Sequence, residues 1–93
     1  MKIVGIDHQI GNYEGRDYDN YNLYCVQAAS KSGQYGLLPV RFQRNGKSRL
    51  YCGVKAAYLH TLVAPDHIID LIGKEVVFYF DNYGNVASME ISK

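Results

Sequence analysis

The length of 93 residues allows one domain, covering residues 1–93, with a single hydrophobic core. The chain has ten Lys and Arg and nine Asp and Glu, and its formal net charge of +1 argues against a strongly basic duplex-binding protein. No apolar run reaches the roughly 20 residues of a transmembrane helix, and the N-terminus lacks the features of a signal peptide. We therefore expect a cytoplasmic protein.

Alternation of apolar and polar residues predicts β-strands over the first two thirds of the chain. The four predicted strands cover residues 2–7, 18–28, 38–43 and 48–58. Clusters of Gly, Ser and charged residues predict loops between them, at residues 11–17 and 30–36.

The Asn-Gly pair at residues 45–46 is a strong signal for a β-hairpin. A three-residue loop over 44–46 would pair Arg41 with Arg49 and keep the apolar side chains on one face. A two-residue loop would instead pair Phe42 with Arg49 and mix the two faces. We expect the three-residue loop. It sets two arginines opposite each other, which is unfavourable unless an anion or an acidic neighbour lies between them.

Residues 65–73 predict a short helix, because Pro stands in its first turn and Gly at its end. Its apolar residues should plug the core; they are Ile68, Ile69, Leu71 and Ile72. A hairpin with strands 75–81 and 86–91 should follow, with the apolar pairs Val76–Ile91, Phe78–Met89 and Phe80–Ala87.

The order of the elements favours a particular β architecture. If the segments before the helix form three long, curved strands, the order matches the OB-fold, a five-stranded, partly open barrel. We predict a mainly β, OB-like barrel with one short helix before the C-terminal hairpin. An SH3-like barrel and a five-stranded open sheet are the alternatives.

Strand alternation sorts the residues between 18 and 58 onto two faces. The apolar face, which should form the core, carries Tyr21, Leu23, Cys25, Val40, Phe42, Leu50, Cys52 and Val54. The other face carries Tyr18, Tyr24, Arg41, Arg49, Tyr51 and Lys55. Aromatic rings on which bases stack, beside cations that contact phosphates, are typical of surfaces that bind single-stranded nucleic acid.

The basic residues are concentrated in one part of the chain. No acidic residue occurs between Asp19 and Asp66, and this span holds Lys31, Arg41, Arg44, Lys47, Arg49 and Lys55. The near-neutral net charge therefore hides a polarised molecule. A phosphate backbone is the commonest partner for such a span. An acidic protein surface, or neutralisation by the acids of residues 11–19, is the alternative.

Few residues suit metal binding or catalysis. Cys25 and Cys52 belong to no metal-binding spacing, and we expect two buried thiols rather than a disulfide. Glu14, Asp17 and Asp19 lack the spacing of a Ca²⁺ loop. Because no nucleophile context is recognisable either, we expect no metal, no cofactor and no enzymatic activity.

The opening Lys2-Ile3-Val4-Gly5, the Tyr-rich segment 18–25 and the closing segment 73–86 form a pattern that covers most of the chain. In size, β composition and Tyr content it resembles the small single-stranded-DNA-binding proteins of phages and mobile elements, including the filamentous-phage gene V type. The resemblance implies a homodimer that coats single strands irrespective of sequence, in a bacterial cell or phage-infected host.

We therefore predict a sequence-independent single-stranded-DNA-binding protein. Tyr18, Tyr24 and Tyr51 would stack bases, and the phosphate contacts would come from Arg41, Arg44, Lys47, Arg49 and Lys55. One alternative is a phage-encoded protein that inhibits a host nucleic-acid enzyme, as anti-CRISPR proteins do. The other is a structural oligomerisation module that pairs strand edges or the face of Val77 and Tyr79.

Overall fold

A computed structural model describes residues 1–92 and confirms that the chain is mainly β, with 54% of residues in strands and 15% in helices. The strands of this part of the chain are β1 (Lys2–Tyr13), β2 (Arg16–Ala28), β3 (Leu37–Pro39), β4 (Phe42–Arg44), β5 (Lys47–Arg49), β6 (Cys52–Lys55), β7 (Val76–Phe80) and β8 (Val86–Ile91). Helix α1 (Ala56–Leu62) and a 3₁₀ helix (Pro65–Leu71) lie between β6 and β7. None of the helices described is long and apolar enough to span a membrane.

Three antiparallel sheets make up the fold. In the largest, β2 pairs with β1 along one edge and with β6 and β3 along the other. The hairpins β4–β5 and β7–β8 form two further sheets of two strands each. None of these sheets closes into a barrel within residues 1–92, so the predicted five-stranded barrel is not confirmed.

Strands β1 and β2 form a long hairpin where a loop over residues 11–17 was expected. The turn consists of Glu14 and Gly15 alone, whose φ angles of 51° and 78° are those of a two-residue hairpin turn. Asn12 donates a 2.8 Å hydrogen bond to the carboxylate of Asp17 on the opposite strand. The loop prediction was wrong because cross-strand pairing continues through residues that by composition favour turns.

The β4–β5 hairpin has the two-residue turn that the sequence analysis disfavoured. Asn45 and Gly46 have φ angles of 52° and 75°, and Phe42 pairs with Arg49. The expected pairing of Arg41 with Arg49 was therefore wrong. The pairing of Phe42 with Arg49 places an apolar and a charged side chain on the same face of the hairpin. The bend at residues 50–51 separates β5 from β6, so the alternation of apolar and polar residues on β6 is not affected.

Helix α1 replaces the last three residues, 56–58, of the strand predicted over residues 48–58, and the bend at residues 50–51 divides the rest into β5 and β6. Ala56 and Leu59 are buried and stand three residues apart, on one face of the helix. The hydroxyl of Tyr58 accepts a 3.0 Å hydrogen bond from the backbone N–H of Met89, which ties α1 to β8. The helix prediction for residues 65–73 is confirmed as the 3₁₀ helix, with Gly73 in the left-handed region after it.

The core lies between the large sheet, α1 and the C-terminal hairpin. Its most deeply buried large side chains are Ile3, Leu23, Val54, Leu59 and Val76. The predicted apolar face is buried except for Leu50, which is 44% exposed because it lies in the bend after β5. In the 3₁₀ helix Ile68 and Leu71 are buried, whereas Ile69 and Ile72, which directly follows the helix, are exposed and do not plug the core.

The C-terminal hairpin follows its predicted register at two of three positions. Val76 pairs with Ile91, and Phe78 with Met89. A bulge between Tyr79 and Phe80 moves the partner of Phe80 from Ala87 to Val86.

The hydrogen bond between α1 and β8 generates a stability prediction. We expect Tyr58→Phe to lower the free energy of unfolding by about 1–3 kcal/mol, because it leaves the N–H of the buried Met89 without its acceptor. Urea denaturation measures the change. The exposed Tyr13→Phe is the matched control and should stay within about 0.5 kcal/mol of the wild type. Equal stability of the two variants would contradict the role of the Tyr58 hydroxyl.

Candidate nucleic-acid interface

A cleft of about 730 Å³ lies where the large sheet meets the two hairpins. The large sheet and the bend before β6 line it with Gln9, Tyr18, Asn20, Asn22, Tyr51, Gly53, Val54 and Lys55. The remaining lining residues are Arg44, Arg49, Tyr58, Asp81, Asn85 and Val86. Of the eight predicted site residues, this cleft brings together Tyr18, Arg44, Arg49, Tyr51 and Lys55.

The floor of the cleft is set by the register of three strands. Alternate residues of β2 point to this face, so Asn20 and Asn22 lie between Tyr18 and Tyr24. On β6, Lys55 pairs with Asn20 and Gly53 pairs with Asn22. Sequence reasoning missed the two asparagines, although their spacing of two from Tyr18 and Tyr24 was the signal that could have found them.

Glycines on β1 make room for the tyrosine rings of β2. Gly11 pairs with Tyr18, and a Cβ atom at Gly11 would lie only 2.6 Å from Cζ of that tyrosine. Gly5 pairs with Tyr24, where an added Cβ would be in ordinary contact at 3.7 Å. The ring of Tyr18 therefore lies over bare backbone while its side chain remains 40% exposed at the cleft.

Tyr51 is held by two neighbours. Its ring centroid lies 5.8 Å from that of Tyr24, at an interplanar angle of 53°, and 5.6 Å from the guanidinium carbon of Arg49. Tyr24 does not line the cleft itself. Its ring contacts the ring of Tyr51 from outside the cleft. Of these two predicted stacking residues, only Tyr51 can therefore meet a base in the cleft.

The cations of the cleft have no carboxylate partners. No Lys or Arg within residues 1–92 forms an ion pair with Asp or Glu, so the acids of residues 11–19 do not neutralise the basic hairpin. Arg44, Arg49 and Lys55 line the cleft, whereas Arg41 and Lys47 lie outside it. Three positive charges therefore line the cleft against the one negative charge of Asp81, whose pKa is also lowered by Arg44, and the balance favours an anion.

Asp81 is the one carboxylate among the lining residues described. It accepts hydrogen bonds from the backbone N–H groups of Tyr83 and Asn85, at 2.8 and 2.9 Å. These bonds, that of Asn85 first, lower the pKa of Asp81 below its ordinary value of 3.8. Asp81 therefore stays ionised and serves the β7–β8 turn.

The cysteines and histidines lie away from the cleft. Burial raises the pKa of the Cys25 thiol to about 11 and that of Cys52 to about 12, so both are protonated at neutral pH. On the core side of the sheet His8 stacks on Tyr21, whose hydroxyl shares a 2.8 Å hydrogen bond with His60. Nowhere in residues 1–92 do three His, Cys, Asp or Glu side chains form a metal-binding group.

The depressed pKa of Asp81 generates a pH prediction. Because the folded-state pKa lies below 3.8, the ionised carboxylate stabilises the fold above that pH, and the stabilisation is lost as the pH falls through the folded-state pKa. We expect Asp81→Asn to be less stable than the wild type at neutral pH. Urea denaturation at decreasing pH should show this difference shrinking below pH 3.8. A difference that does not change with pH would contradict the prediction.

No family model matches the chain, and no curated protein and no solved structure matches it either. The resemblance to phage single-stranded-DNA-binding proteins therefore stays a prediction. A function for this chain has to be inferred from the residues of the cleft.

Proposed function

We propose that this chain is a non-enzymatic protein that binds single-stranded DNA in the cleft over β2. One observation carries the proposal: two tyrosine rings, the exposed Tyr18 and the half-buried Tyr51, line the same cleft as three cations that form no ion pair with a carboxylate. Rings offer stacking surfaces to any base, and cations attract the phosphates between bases.

The tyrosines define where bases would lie. Tyr18 and Tyr51 line the cleft at the two ends of its floor, and each would stack one base at about 1–3 kcal/mol. Tyr24 would act through Tyr51 by fixing its ring. A duplex hides the faces of its bases in the helical stack, so these platforms favour single strands.

The cations define the path of the backbone. Arg44 and Arg49 lie on the β4–β5 hairpin, and Lys55 lies next to Asn20 on the floor. Phosphates would pass along this side of the cleft. Arg41 and Lys47 lie outside the cleft and would meet only a strand that extends beyond it.

We also propose that the chain has an OB-like architecture and forms a homodimer. The order of strands, helices and final hairpin is compatible with an OB-like arrangement, although the three sheets remain separate. A homodimer would place two clefts on one strand and raise the avidity, which matters for a chain of net charge +1. A phage or mobile-element origin and a cytoplasmic location complete the proposal.

The test is fluorescence anisotropy of a labelled oligo-dT strand at low and moderate salt. With three phosphate contacts, the association constant should fall about 20-fold between 50 and 200 mM salt, since each contact contributes a slope of about −0.7. An unlabelled duplex should compete poorly. Replacing Arg49 and Tyr51 together by Ala should abolish binding, because it removes a ring, a cation and the contact between them.

The matched control removes the same two residue types from the β1–β2 turn. Tyr13 and Arg16 pair with each other at the end of that hairpin, both are exposed, and neither lines the cleft. Replacing both by Ala should leave binding unchanged. Wild-type binding by the Arg49/Tyr51 variant would refute the site. No binding of the wild type at tens of micromolar would refute the function, and the inhibitor of a host nucleic-acid enzyme would take its place.

A further inference from the structure

Two side-chain amides occupy the centre of the cleft floor without a protein partner. Asn20 and Asn22 are half-buried and line the cleft. Neither amide makes a side-chain hydrogen bond within residues 1–92, whereas Asn12 and Gln9 both donate to carboxylates. The stacking and phosphate contacts of the proposed function make no use of these two amides.

The space above Asn22 is open because its β6 neighbour is glycine. Gly53 is exposed, and a Cβ atom there would lie 3.6 Å from Oδ1 of Asn22. A larger side chain would therefore cover the amide. With glycine present, a flat group that enters the cleft can reach the amide oxygen and nitrogen.

We propose that Asn20 and Asn22 recognise the polar edge of adenine, which adds a preference for adenine-containing strands to the single-strand binding proposed above. A carboxamide presents one acceptor and two donors. Adenine presents the N6 amino donor beside the N7 acceptor, and Asn pairs with both in a bidentate contact. This inference rests on the proposed function, because the backbone contacts bring the base into the cleft.

On the edge that faces the major groove of a duplex, no other base presents a donor beside an acceptor. Guanine presents two acceptors there, N7 and O6, which suit Arg better than Asn. Thymine presents the O4 acceptor and a methyl group, and cytosine presents the N4 amino donor with no acceptor beside it.

The geometry of β2 places the ring of Tyr18 close to the amide of Asn20. Alternate residues of a strand stand about 6.6 Å apart on one face. A purine that rests on Tyr18 therefore has its edge near Asn20, and Asn22 is the next residue on the same face. Tyr51 lies beyond Asn22 at the other end of the floor.

The test compares two strands that differ only in the base edge. One is oligo-dA, and the other carries unsubstituted purine, which has the same rings and N7 but lacks the N6 amino group. Anisotropy should show oligo-dA binding at least about fivefold tighter than the purine strand. Replacing Asn20 and Asn22 together by Ala should remove this difference, because it lowers the affinity for oligo-dA more than the affinity for the purine strand, which can accept a hydrogen bond only at N7.

The control variant is Asn82→Ala, which removes an exposed amide that does not line the cleft and should keep the preference. Equal binding of the two strands by the wild type would overturn the adenine inference and leave the single-strand function standing. A preference that survives in the Asn20/Asn22 variant would also overturn it. Absence of binding to every strand would refute the proposed function together with the inference.

Discussion

The pairing of β2 with β1 and β6 is the constraint on which both the core and the cleft depend. Between Asn20 and Leu23 the strand has partners on both edges. Its alternation then sends Tyr21 and Leu23 into the core and Asn20 and Asn22 to the cleft. A slip of one residue would exchange the two faces, so burial of the apolar side chains holds the cleft residues in place.

The cleft combines rings, amides and cations because several strands line it. Strand β2 provides a tyrosine and two asparagines, and the cations come from β4, β5 and β6. Gly11 and Gly53 keep the floor low beside Tyr18 and Asn22, so that both side chains stay accessible. The β4–β5 hairpin contributes arginines without carboxylate partners, one of which contacts Tyr51. A chain with almost no net charge can in this way present a local positive potential to a polyanion.

Alternation in the sequence predicted the core face of β2 and β6 well, because burial imposes a period of two on a strand. Alternation gave the wrong register where the backbone conformation of a turn sets the pairing. Asn45 adopts a positive φ, so the β4–β5 turn has two residues instead of the expected three, and Arg49 pairs with Phe42. Helix α1 was missed because Ala56 and Tyr58 continue the alternation of Cys52 and Val54 in the preceding strand. Which cations line the cleft depends on how the hairpin packs against the sheet, and no local pattern encodes that.

The most direct test of the account is an NMR titration of the ¹⁵N-labelled protein with a short single strand. If the cleft over β2 is the binding site, the amide signals that shift should belong to Tyr18–Tyr24 on β2, to residues 51–55 and to the β4–β5 hairpin. The signals of Tyr13 and Arg16 at the far turn should stay in place. Shifts confined to that turn or to the outer face of Val77 and Tyr79, or no shifts at all, would contradict the account.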